Sequence, residues 1–276
     1  MSEKNNPFGH KAKKRFGQNF LQDPHIIDRI VKSIHPTPDD CIVEIGPGLG
    51  ALTTQLLPYC HKMHAIELDR DIIPKLRVSC ATLGELILHE IDVLKFDFST
   101  LDLTEKPLKV VGNLPYNIST PIMFHLLKYA DRIQEMTFMV QKEVAERITA
   151  QPGSKNYGRL SIMLQYHCET HYLFTVPPHA FSPAPKVDSA IIRLTPYASP
   201  PHQADNENLF SQIITQAFSQ RRKTLRNTLK NIISADMWNV LDIDAGLRPE
   251  MIPIEQFVKL SNVANQHQID TTKKKD

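Results

Sequence analysis

From residue 41 onward, short apolar β-rich runs alternate with stretches whose apolar positions recur at helical spacing. Cys41 to Ile45 is the first run, and Gly46-Pro47-Gly48-Leu49-Gly50 closes it. Leu49 to Leu57 has helical spacing and stops at Pro58. Met63 to Glu67 predicts a second strand. Ile72 to Val78 predicts a helix, with Pro74 in its first turn, where a missing N–H is tolerated. Leu86 to His89 and Leu108 to Val111 predict the third and fourth strands. Pro121 to Tyr129 is a helix with proline near its start, Met136 to Val140 a fifth strand, and Glu143 to Thr149 helix again. Strand and helix alternating at this spacing predict an α/β fold, a mostly parallel sheet with helices on both faces.

The pattern then changes. Tyr172 to Val176 and Ile191 to Thr195 read as two further strands, an antiparallel pair at the sheet edge that brings the sheet to seven. A proline-rich loop, Val176 to Lys186, bridges them. Ala198-Ser199-Pro200-Pro201-His202 reads as a linker. Beyond it the chain is helical: Leu209 to Phe218, Thr224 to Ile233, a short element near Met237, and Ile254 to Val263. Residues 1–200 are therefore expected to form a ligand-binding catalytic domain and 201–276 a small all-helical one. Residues 1–15 are expected to be a flexible basic arm and 270–276 a disordered tail.

The hydrophobic fraction of 41% and charged fraction of 22% are ordinary for a soluble globular protein. No apolar run is long enough for a membrane span, and none follows the basic N-terminus as a secretory signal requires. Cys41, Cys60, Cys80 and Cys168 form no Cys-x-x-Cys pair, which suits a reduced, cytoplasmic protein. His61-Lys62-Met63-His64 brings no third ligand with it, so no metal is expected. The net charge is only +2, but it is clustered. Lys11, Lys13, Lys14 and Arg15 are one group, and Arg221, Arg222, Lys223, Arg226 and Lys230 a second with no acid among them. On the predicted helix, Arg222, Arg226 and Lys230 share a stripe beside apolar Leu225 and Leu229. A local basic face of this kind, more than the overall charge, lets a protein hold a polyanion such as RNA. A solvated helix face is the plainer alternative.

The turn after the first strand lets the backbone approach a ligand closely, and ligands of open parallel sheets sit outside the carboxyl ends of the strands. Gly46-x-Gly48-x-x-Ala51 also fits a dinucleotide fingerprint, so the turn alone does not separate nicotinamide from S-adenosylmethionine. Glu67, ending the second strand, suits a ribose hydroxyl in either case. Asp92, after the third, can accept from an adenine amine, although a lone Asp there is also a good helix cap. Gly46, Glu67, Asp92 and Asn113 fall at the ends of successive strands, as an adenosyl ligand lying across the sheet edge requires.

The fourth strand runs into Asn113-Leu114-Pro115-Tyr116. As structure alone this is a β-turn. As chemistry, the Asn113 side-chain oxygen and a backbone carbonyl beside Pro115 can both accept from an adenine N6 amine. That turns the nitrogen lone pair, otherwise delocalised into the ring, toward a methyl donor. Positioning and electrostatics then carry the rate. Tyr116 offers a face on which a flipped base can stack. Phe181, in the proline-rich loop, can reach the same sheet edge as a second aromatic, or pack in the core.

Lys14 to Leu21, Glu44 to Gly50, Ile66-Glu67-Leu68-Asp69, Asn113 to Tyr116 and Phe181 to Ser189 resemble, in order and over nearly the whole chain, the KsgA (RsmA) family. The resemblance implies a Rossmann-like class I methyltransferase fold. It implies dimethylation of two adjacent adenines in the 3′-terminal hairpin of small-subunit (16S) ribosomal RNA, with S-adenosylmethionine as cofactor. Cofactor contacts are implied at Asn19, Leu21, Gly46, Glu67, Asp92 and Asn113, and catalytic roles at Asn113, Leu114, Pro115, Tyr116 and Phe181. The expected partner is 16S rRNA within an immature small subunit, bound by a monomer. The competing readings are a large-subunit adenine methyltransferase of the macrolide-resistance type, an RNA-binding factor that has lost catalysis, and a nicotinamide oxidoreductase. Intact Asn113, Pro115 and Tyr116 argue against the last two.

Overall fold

The computed structural model describes residues 13, 17–60, 62–101 and 107–273. A two-residue strand, β1 (Phe20–Leu21), comes first. Helix α1 (Pro24–Ile34) follows, and the sequence reading did not anticipate it although Ile26, Ile27, Ile30, Val31 and Ile34 lie at helical spacing. The Asp23 side chain accepts from the backbone N–H of His25 at 2.9 Å and of Ile26 at 3.2 Å, and Pro24 stands where its missing N–H costs nothing. At the other end, buried Lys109 reaches the carbonyl of His35 at 3.0 Å and the carboxylate of Asp40 at 2.9 Å. A cation there satisfies helix-end carbonyls while its own charge is paired.

The alternating region folds as β2 (Cys41–Ile45), α2 (Thr53–Cys60), β3 (Lys62–Glu67), α3 (Ile73–Cys80), β4 (Glu85–Glu90), β5 (Leu108–Asn113), α4 (Ser119–Leu127), β6 (Ile133–Gln141) and α5 (Lys142–Ile148). Helix α6 (Arg159–His167), β7 (Cys168–Val176), β8 (Phe181–Ser182) and β9 (Ser189–Pro196) complete it. One sheet runs β4-β3-β2-β5-β6-β9-β7, seven strands as expected, and β1 pairs with β8 apart from it. Pairings from β4 across to β6 are parallel, and β6 to β9 is antiparallel. Ile42, Val43 and Ile45 are all buried, because a parallel strand covered on both faces has no solvent side. Helix α2 starts at Thr53, not Leu49, and carries Pro58 inside it. The glycine turn extends further than spacing suggested, and a proline near a helix end breaks little of the ladder.

The chain divides into two compact units, 1–145 with 169–196, and 146–168 with 197–276. The expected boundary near 200 lies close to the second crossing, but residues 146–168 group with the helical unit, which the sequence did not suggest. That unit holds α6, α7 (Glu207–Ala217), α8 (Leu225–Thr228), α9 (Ala235–Val240) and α10 (Ile254–Lys273) around a core including Tyr166, Phe210, Ile213, Trp238 and Phe257. Two expectations are corrected here. Helix α10 continues to Lys273, so 270–273 is helix and not a disordered tail. The helix expected over 224–233 is a single turn. The N–H groups of Leu225 and Arg226 donate to the carbonyls of Leu247 and Ala245, and Thr228 Oγ1 donates to Thr224 and Leu225 carbonyls. The bonds of Leu225 and Arg226 fix the start of this turn, since first-turn N–H groups have no partner within a helix. Among the described residues no helix is long and apolar enough to cross a membrane.

Candidate active site

At the carboxyl ends of β2, β3 and β5 the first unit encloses a cavity of about 350 Å³. Asn19, Leu21, Gly46, Glu67, Asp92, Asn113, Leu114, Pro115 and Tyr116 all line it. The parallel sheet brings Gly46, Glu67, Asp92 and Asn113 to Tyr116 together, because each ends a strand or lies in the loop after it, while Asn19 and Leu21 come from the separate β1 segment.

Gly46 is bent at φ 66, and its N–H donates to Ile66 on the next strand at 2.9 Å. A side chain at Gly48, φ 56, would strike the Phe20 ring at 3.2 Å. The turn therefore lies close against β1, which forms another wall. Glu67 is buried, with its carboxylate accepting from Asp69 N–H at 2.8 Å and Gly48 N–H at 3.3 Å. Burial raises its pKa and these bonds pull it back. Asp92 accepts from Leu94 N–H at 3.0 Å through one oxygen. It is therefore a cap and a cavity-lining acid at once, with a second oxygen for a ligand.

Asn113 is half-buried at the end of β5. Its Nδ2 donates to the Asn19 carbonyl at 2.9 Å, which turns Oδ1 toward other donors. Leu114 N–H donates to Met139 at 3.0 Å, continuing the strand register past the last β5 residue. The Pro115 carbonyl accepts from Ile118 N–H at 3.1 Å, so the turn runs from Pro115 to Ile118, two residues later than the one expected over 113–116. Tyr116 shares a hydrogen bond of 2.6 Å with Ser189 Oγ. Burial pushes the Tyr116 phenol up from its usual range, so it stays neutral near physiological pH.

Phe181 does not join the lining residues. It is 5% exposed and packs in the core with Leu21, Val176 and Ala180. The antiparallel pairing Leu21↔Phe181 holds it there. The structure therefore gives it the packing role, not an open stacking face. The Lys13 ammonium lies 2.5 Å from Asp69 and 2.6 Å from Asp71. Gln18 also donates to Asp69, at 2.8 Å. The segment before β1 is thus tied to the loop that follows Glu67. Lys11, Lys14 and Arg15 lie outside the described residues. Arg221, Arg222, Lys223, Arg226 and Lys230 are all exposed, while Leu225 and Leu229 are fully buried. The two-sided character survives without the continuous helix.

Sequence reasoning missed Glu44. It is buried at the cavity, receives Thr53 Oγ1 at 2.6 Å, and burial raises its pKa to about 7. An acid inside an otherwise apolar strand was the available signal. Among the described residues no group of three His, Cys, Asp or Glu side chains is arranged to hold a metal. His64 instead meets His89 ring to ring, nitrogen to nitrogen at 3.0 Å.

Residues 9–266 match the sequence profile of a family described as ribosomal RNA adenine dimethylase. The chain is 54% identical over 255 residues to ribosomal RNA small subunit methyltransferase A of Alcanivorax borkumensis, covering 92% of this chain and 91% of that one. It is 50% identical over 270 residues to the protein of the same name from Hahella chejuensis, covering 98% and 99%. Among solved structures, a dimethyladenosine transferase from Plasmodium falciparum superposes with a TM-score of 0.76 at 28% identity, covering 90% of this chain and 98% of that one. The 23S rRNA methyltransferase ErmE gives 0.71 at 26%, covering 90% and 100%.

Proposed function

Because the chain belongs to the ribosomal RNA adenine dimethylase family, we propose that its cavity binds S-adenosylmethionine and that Asn113 to Tyr116 present adenine N6 amines for methylation. The substrate is the pair of adjacent adenines in the 3′-terminal hairpin of 16S rRNA, within an immature small subunit, and the chain works as a monomer. Relatives at 50–54% identity over nearly their whole length carry the small-subunit name, while the large-subunit enzyme stands at 26%. That difference favours the small-subunit reading.

The observation that carries the chemistry is the fixed Asn113 amide. With Nδ2 committed to Asn19, Oδ1 is the acceptor aimed at an incoming amine. The Leu114 carbonyl, beside Pro115, is the second acceptor. Two acceptors on one amine favour a pyramidal nitrogen with its lone pair exposed, and preorganised dipoles do this without reorganisation during reaction. Tyr116 stacks the flipped base. Glu67 and the free oxygen of Asp92 fit ribose hydroxyls and an adenine amine. When bound, S-adenosylmethionine supplies a methyl group activated by its sulfonium charge. No strong base is required, because the amine proton becomes acidic after transfer and leaves to water. The exposed arginines and lysines of 221–230 hold RNA phosphates.

Purified protein, labelled S-adenosylmethionine and undermethylated small subunits are expected to yield N6,N6-dimethyladenine on nucleoside analysis. Labelling confined to large subunits would overturn the substrate assignment. Asn113→Ala is expected to slow transfer by at least about a hundredfold while RNA binding survives. Turnover close to wild type would overturn the mechanism.

A further inference from the structure

The proline-rich segment between β7 and β9 carries one aromatic side chain, Phe181. Its geometry points to a different residue. Phe181 is locked into the core opposite Leu21, whereas Ser189, eight positions later, is bonded to the tyrosine of the reaction turn. Building on the methyl-transfer reading above, we propose that Ser189 is a positioning residue for catalysis: its hydroxyl tethers the Tyr116 phenol and thereby fixes the ring face on which the target base stacks.

Four observations support this. Ser189 Oγ and Tyr116 Oη lie 2.6 Å apart, a short hydroxyl–hydroxyl bond. Ser189 is 0% exposed, so water does not replace its partner there, and a hydroxyl so placed needs one. Its backbone cannot drift. Ser189 opens β9 opposite Gln141 in the antiparallel register with β6, and the next β6-side residue, Lys142, donates its N–H to Asp188 at 3.0 Å. Finally, β6 is the strand beside β5, whose last residue is Asn113. The amine-accepting amide and the ring anchor are therefore held by neighbouring parts of one sheet. Ring and acceptors keep their relative placement whether or not a base is present. A tyrosine on a turn, without the tether, would keep rotamer freedom that base binding would have to remove.

The chemical role is confined to orientation. The Tyr116–Ser189 pair gains and loses no proton, and neither hydroxyl is asked to act as acid or base. The partner chemistry is a flat aromatic base, and the tether acts on its angle relative to Asn113.

The test is a double-mutant cycle read in single-turnover methyl transfer to undermethylated small subunits, with S-adenosylmethionine affinity measured separately. Tyr116→Phe and Ser189→Ala are each expected to slow transfer about three- to tenfold, the worth of one hydrogen bond, with cofactor affinity unchanged. The combined variant is expected to be no slower than Tyr116→Phe alone, because both changes break the same bond. Losses that multiply, a wild-type rate in either single variant, or an equal loss in cofactor affinity would each overturn the tether. Should Ser189→Ala fail to fold, Tyr116→Phe decides alone: it removes one half-buried oxygen and keeps the ring, so a wild-type rate overturns the proposal and a loss of the stated size supports it. If the wild-type chain itself labels no small subunits, the methyl-transfer reading falls, and this role with it.

Discussion

Glu44 shows what a single residue does when its strand is buried on both faces. Its carboxyl holds a proton up to about pH 7 in the folded chain. In the unfolded chain it releases that proton near 4.5. The folded state therefore binds the extra proton between those values, and stability falls as pH rises through that window. Glu44→Gln removes the titration. The variant is expected to match wild type near pH 5 and to exceed it at pH 8, by up to roughly 3 kcal/mol at the full difference. Urea midpoints for both proteins at the two pH values measure this, and an equal gap at both would show that Glu44 titrates normally. Residue identities at the cavity were legible from sequence because Gly46, Glu67, Asp92 and Asn113 each end a strand. Glu44 carried a signal as the one acid in an apolar run, but that run gives no hint of whether the acid is protonated. The roles of Phe181 and Ser189 were not legible either, since strand pairing places the first in β8 against Leu21 and the second at the start of β9 against Gln141.

Elements set the fit between such residues. Strand β5 passes so close to β2 that a methyl group on Gly112 would lie 2.4 Å from the Ile45 carbonyl oxygen. Backbone atoms cannot step aside as a side chain end can. Gly112→Ala is expected to destabilise the protein by about 1–3 kcal/mol and to slow transfer, since it displaces the residue before Asn113. Thermal unfolding and the transfer assay check both parts, and an unchanged melting temperature would refute the close approach. The long strands were readable from periodicity. The two-residue β1 was not, because two residues carry no period and exist as a strand only through pairing with β8. Helix α8 failed in the opposite sense. Its sequence had a helical stripe, yet the helix spans only Leu225–Thr228, with its first two N–H groups bonded to the carbonyls of residues 247 and 245.

At the scale of the whole molecule, a net charge of +2 gives little general attraction for RNA, so binding must come from local groups. The exposed set at 221–230 is the largest such group among the described residues that the sequence identified. Arg222→Gln with Arg226→Gln is expected to weaken RNA binding, to lower the slope of log affinity against log salt by up to about 1.5, and to leave cofactor affinity unchanged. Titrations at several salt concentrations read this, and an unaltered slope would mean that these arginines meet no phosphate.

Local pattern determined the alternation of strand and helix, the seven-stranded sheet, and the row of functional groups at its edge. These depend on periods of two and 3.6 residues and on turn chemistry, which neighbouring residues carry by themselves. Tertiary structure decided what depends on contacts between distant residues. It assigned 146–168 to the helical unit, buried Phe181 against Leu21, and committed the Asn113 amide to Asn19. It also set Ser189 against Tyr116, 73 positions apart in the chain. A hydrogen bond requires two partners within about 3 Å, and no pattern in one segment specifies where the other will lie.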